Sequence, residues 1–131
     1  MIKLQYLIIF LVSALCISCT QNINKISLSK GNDLGAWNLF VDPKSNVNPS
    51  DVFSIKDGII KISGNPFGYM YTKSKFSNFR LSLEWKYPKE ASNSGIFLFV
   101  QGPNLWPNAV ECQLQSGNAG DFVLLGGSNI S

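Results

Sequence analysis

The stretch that most constrains this chain runs from Trp106 to Gly127. Within it Val110, Cys112 and Leu114 alternate with Glu111, Gln113 and Gln115. Successive side chains of a strand point to opposite faces, so this period of two predicts a half-buried strand. Its apolar set faces a core, and its polar set faces a cavity or water. Ser116–Asp121 follows as a cluster of turn formers. Phe122–Leu125 then predicts the next strand, closed by Gly126 and Gly127.

The polar face admits two readings. A carboxylate flanked by two carboxamides suits a polyhydroxylated ligand, because sugar hydroxyls need both donors and acceptors. A solvated sheet face would carry the same residues, and alternation alone favours it.

Other stretches extend the pattern. Val52–Ile55 and Ile59–Ser63 flank Lys56-Asp57-Gly58, and Asp-Gly between alternating apolar runs signals a hairpin. Asp42–Asp51, with two prolines, two serines and two asparagines, predicts a loop. In Arg80–Tyr87 the alternation is strict: Leu81, Leu83, Trp85 and Tyr87 share one face, and Arg80, Ser82, Glu84 and Lys86 the other. A strand is expected there. Glu84 is either a cleft-floor carboxylate beside Glu111 or half of a surface ion pair, and the pattern decides neither. Pro88–Ser94 predicts a loop and Ile96–Val100 an almost fully apolar strand. In Asn93-Ser94-Gly95 the glycine is expected to supply a backbone conformation that a side chain would oppose. Asn93 could cap the strand start or bind a sugar hydroxyl. Tyr71 and Trp106 either stack on the apolar C–H face of a pyranose or pack internally, Trp106 under Pro107.

Charge and composition exclude several classes. The chain has 11 Lys+Arg against 8 Asp+Glu, and the scattered lysines argue against nucleic acid as a partner. It contains no histidine, which excludes Ser-His-Asp and Cys-His catalysis within the chain and any histidine-based metal site. Cys112 falls on the apolar side of its strand and reads as a small hydrophobe rather than a nucleophile.

The first residues predict targeting. Lys3 supplies a positive start, and Leu7–Cys16 is an apolar run of signal-peptide length, short for a membrane span. Cys16-Ile17-Ser18-Cys19 resembles a bacterial lipobox, with Cys16 where leucine is more usual. The expectation is a signal peptide over 1–18, lipidation of Cys19, a polar tether over 19–33 and a domain over 34–131. A plain secretory signal or an uncleaved anchor are the alternatives. Several acyl chains on one cysteine would hold the protein at a membrane. Thr20 follows Cys19 where an aspartate would favour inner-membrane retention, so the expected location is the periplasmic side of an outer membrane.

WPNAVECQLQSGNAGDF, with Asn93-Ser94-Gly95-Ile96-Phe97 upstream, closely resembles the 3-keto-disaccharide hydrolase family. The resemblance runs from about Leu34 to Gly127. It takes in the opening around Trp37, the hairpin at Asp57-Gly58, Gly68–Lys73 and the Arg80–Tyr87 stretch, with Glu84 at the family's acidic position. It implies a concanavalin-like jelly-roll β-sandwich and action on glycosides oxidised at C3. Phe99 departs from many relatives, which have a polar residue nearby. Relatives also continue with further strands after Gly127, so the resemblance implies an incomplete sandwich.

The implied chemistry is β-elimination, which needs a base near C2 and a group that stabilises the enolate oxygen. Glu111 is the first candidate for the base or a metal ligand, and Glu84 the second. Gln113, Gln115, Asn93, Tyr71, Trp106 and Asp121 are candidates for substrate binding. Carboxylate and carboxamide oxygens could also hold a hard divalent cation. An ordinary two-carboxylate glycosidase would use the same pair of glutamates. The alternatives are a non-catalytic, lectin-like lipoprotein and an inactive fragment of the enzyme.

Overall fold

A computed structural model describes residues 25–129. The targeting segment, Cys19 included, lies outside the described residues. The chain is all-β, as its alternation predicts. The described residues form seven strands, β1 (Trp37–Val41), β2 (Phe53–Lys56), β3 (Ile59–Ile62), β4 (Gly68–Thr72), β5 (Gly95–Gln101), β6 (Asn108–Gln113) and β7 (Phe122–Leu125). They pair antiparallel as β1–β4, β2–β3 and β5–β6–β7.

The β2–β3 hairpin forms where its turn residues demand. Asp57 and Gly58 have φ of +52° and +73°, the left-handed pair that a two-residue type I′ connection requires. The Asn32 side chain accepts the Asp57 N–H at 2.7 Å, and Leu28 O accepts the Trp37 indole N–H at 2.6 Å. These bonds tie the lead-in to the first strands.

The expected loop over Asp42–Asp51 contains two short turns: a 3₁₀ turn at Pro43–Ser45 and a helical turn, α1 (Pro49–Val52). Asn48 caps α1 by accepting the Ser50 N–H at 3.0 Å, and Pro49 takes its first position, where no N–H is needed. Val52 therefore ends a helical turn instead of opening the expected strand.

Packing begins at β1–β4. Leu39 pairs with Met70 and Phe40 with Tyr69, so one side of the ribbon carries Leu39, Val41 and Met70. Against that side lie Val52 and Phe53, closing a core of Val41, Val52 and Phe53 with Leu34, Leu39 and Met70 around it. Phe53 is 2% exposed. The opposite side carries Phe40, Tyr69 and Tyr71.

In the three-stranded sheet Gly95 pairs with Gln113 and Phe97 with Glu111. The register continues past the end of β5: Ser94 O accepts the Leu114 N–H at 2.7 Å and Ser92 O the Ser116 N–H at 3.1 Å. Between Leu98 and Gln101 the register shifts, and Phe99 has φ of +57°.

Arg80–Tyr87 corrects an expectation: it forms no strand. Alternation decides which side chains share a side, but a strand also needs a neighbour's backbone to complete its ladder. The apolar alternates still act together. Leu81, Leu83 and Trp85 line an open depression of about 530 Å³ with Ile96, Leu98, Cys112 and Leu114. The Tyr87 hydroxyl donates to Leu114 O at 2.9 Å.

Candidate functional site

The register of β5–β6–β7 collects most of the expected polar residues on one sheet face. Glu111 stands between Phe97 on β5 and Val123 on β7. One pair along, Gln113 faces Gly95, and the Asp121 carbonyl accepts the Gln113 N–H at 2.9 Å. One pair further, the continued register sets Asn93 opposite Gln115. Asn93, Glu111, Gln113, Gln115 and Asp121 therefore share a face, because residues opposite each other and two apart along a strand point the same way.

Hydrogen bonds order this row. Gln113 Nε2 donates to Gln115 Oε1 at 2.7 Å, and Asn118 Nδ2 donates to the same oxygen at 3.3 Å. Gln115 is thus held by its neighbours, while Gln113 keeps its carbonyl oxygen and one N–H. Asp121 is exposed and contributes its backbone to the turn.

Glu111 is half-buried, and burial pushes its carboxyl above the ordinary glutamate value. Removing water penalises the charged form, which makes the carboxylate a stronger base. Among the described residues no cation offsets this effect.

Aromatic residues continue the face sideways. Tyr69 on β4 lies 5.7 Å from Phe97 between ring centroids, 4.9 Å from Phe40 and 6.1 Å from Tyr71. Its hydroxyl donates to Asn104 O at 2.8 Å, and burial pushes its pKa upward. Tyr71 thus joins the Glu111 face through Tyr69 and Phe97. Sequence reasoning missed Phe40, Tyr69 and Phe97. Tyr69 was within reach, since it shares strand parity with Tyr71, but the contact with Phe97 needs the fold.

The remaining candidates stand apart from the row. Trp106 is 56% exposed and packs on Phe67, with ring centroids 4.5 Å apart, beside the fully buried Pro107. Glu84 is exposed and does not line the depression that Leu83 and Trp85 border. Among the described residues no ladder ties its segment to any of the three sheets, so no register brings it to Glu111. Among the described residues no three acidic or cysteine side chains gather closely enough to hold a metal ion.

Two depressions lie away from the Glu111 row. One is the apolar depression under Leu81–Trp85. The other, about 750 Å³, is lined by Leu98, Phe99, Val110 and Phe122 among others. Glu111 stands on an open, aromatic-flanked sheet face.

No curated protein and no solved structure matches the chain. A family model described as the 3-keto-alpha-glucoside-1,2-lyase-like domain matches residues 24–129. That span holds all seven strands and both motifs, Asn93–Phe97 and Trp106–Phe122. The chain belongs to the family of 3-keto-alpha-glucoside-1,2-lyase-like domains.

Proposed function

We propose that the chain cleaves glycosides oxidised at C3, with Glu111 as the base. The supporting observation is a half-buried carboxylate with a raised pKa, set beside a carboxamide row and an aromatic flank. A ketone at C3 acidifies the C2 proton. The Glu111 carboxylate takes that proton, leaving an enolate. As the ketone re-forms, the electron pair makes a C1–C2 double bond and the C1–O bond breaks. The departing alkoxide recovers a proton from Glu111, and water then adds at C1 of the enone. In this reading the free N–H of Gln113 stabilises the enolate oxygen and Asn93 meets a hydroxyl. The rings of Tyr69, Tyr71 and Phe97 offer apolar faces to the sugar. Glu84 is retained as a second carboxylate whose participation depends on how its segment docks.

The same reading places the protein at a bacterial outer membrane through a lipid on Cys19, with the sugar site facing the periplasm. Mass spectrometry of the membrane-extracted protein tests this: an acylated N-terminal Cys19 is expected, and an unmodified cysteine overturns it.

The chemical test is incubation of the full chain with a chromogenic 3-keto-glucoside. Release of the chromophore is expected, with a fall of about 10²–10⁴-fold in Glu111→Gln, the range of a lost general base. Unchanged turnover in that variant removes Glu111 from the mechanism. The open face around Glu111 favours a second reading, a lectin-like binding protein. Sugar binding without release in the folded wild type would select it.

A further inference from the structure

Gly95 opens β5 opposite Gln113, next to the Phe97–Glu111 pair. Its backbone is not left-handed, unlike that of Gly58 or Gly102, so no turn geometry demands a glycine there. This corrects the expectation that its backbone conformation was the reason. The reason is space. A Cβ built on Gly95 would overlap the Glu111 side chain: Cγ and the carboxyl carbon would each lie 2.5 Å away, with Oε1 closer still. Real Cβ atoms essentially never approach heavy atoms within 3.0 Å. The Glu111 side chain therefore lies along the sheet, across the Gly95 Cα, instead of standing out from it.

We propose that Gly95 is a positioning residue, whose missing side chain forms the seat that holds the Glu111 carboxyl against the sheet beside Phe97. The inference rests on the reading of Glu111 as the base. The seat does two things. It lays the carboxylate low on the face, where the backbone and the Phe97 and Val123 side chains displace water. It also sets the height at which the carboxylate meets a sugar lying across the row. Any side chain at position 95 lifts the carboxyl toward solvent and shifts it by about the width of a methyl group. A misplacement of about 1 Å can cost a reaction about 100-fold.

The test combines Gly95→Ala with Glu111→Ala in the full chain. Three readouts are taken: turnover of a 3-keto-glucoside against pH, the ¹³C titration of the Glu111 carboxyl, and the thermal midpoint. Gly95→Ala is expected to lower kcat about 100-fold with KM nearly unchanged. It should move the Glu111 titration down toward the ordinary glutamate value. It should lower the midpoint in the wild type but not in the Glu111→Ala background, where the overlapping atoms are gone. An unmoved Glu111 titration in Gly95→Ala overturns the proposal. So does an equal loss of midpoint in both backgrounds, which would make Gly95 necessary for something other than Glu111. If Gly95→Ala does not fold alone, the double variant decides: folding restored by Glu111→Ala supports the seat, and failure to restore it overturns the seat. Absence of turnover in the wild type would refute the proposed reaction. The titration and midpoint readouts would still decide whether Gly95 seats Glu111.

Discussion

The first four strands and the last three carry the same kind of pattern and meet different fates. In β1–β4, the side bearing Leu39, Val41 and Met70 is covered by Val52 and Phe53. In β5–β6–β7 the apolar side is covered only in part among the described residues: Ile96 and Cys112, half-buried, face the depression of Leu81, Leu83 and Trp85, while Phe122 is 70% and Leu124 46% exposed. Hydrophobic alternation creates a face that gains by burial, but the gain is realised only where a second layer arrives. The polar sides diverge as well. The opposite face of the β1–β4 pair is aromatic, while β6 carries the carboxylate and carboxamides. The Tyr69–Phe97 contact joins them into one surface.

The sharpest test of this contrast is a pair of truncations. Phe53→Ala empties the covered core and is expected to destabilise the chain by about 3–5 kcal/mol, read from the urea midpoint. Phe122→Ala removes an exposed ring and is expected to change stability by no more than about 0.5 kcal/mol. Similar losses from both would show that the open face is covered in solution.

A smaller effect is expected at the register shift of β5. Phe99 holds a left-handed φ with a ring that is 73% exposed, so its backbone strain is offset by little burial. Phe99→Gly relieves that strain and is expected to raise stability by about 1 kcal/mol, less the entropy glycine adds to the unfolded chain. A loss instead would show that the ring packs against something in solution.

The gentlest probe is pH. Burial raises the folded-state pKa of Glu111 above its unfolded value, so the folded chain binds more protons across that interval. Stability contributed by the neutral form is fully present below the unfolded value and is lost as pH rises through the folded one. Urea midpoints should therefore fall as pH rises from the ordinary glutamate value through the raised value of Glu111. Glu111→Gln should flatten that slope. An identical slope in the variant would place Glu111 in solvent.

The sequence was most legible where structure is local. Asp57-Gly58 announced its hairpin because that dipeptide readily adopts the left-handed pair of a type I′ connection. The alternation of Val110–Gln115 announced β6 and divided its two faces correctly. The turn formers of Ser116–Asp121 separate β6 from β7. Arg80–Tyr87 shows the opposite case: its alternation is as strict, and Leu81, Leu83 and Trp85 do share a side, yet no ladder forms. Gly95 was recognised as special for the wrong reason, because the atoms that exclude a side chain belong to a residue sixteen positions away.

The sequence by itself thus determined the all-β class, the turn positions and which residues share a face. Those follow from backbone sterics and the two-residue period of an extended chain, which act between near neighbours. The tertiary structure alone decided which apolar face is covered, that Tyr69 meets Phe97, and that Glu111 lies across Gly95 with its charge partly stripped of water. Each of these depends on atoms far apart in the chain reaching contact distance, and pairing register, not composition, sets that distance.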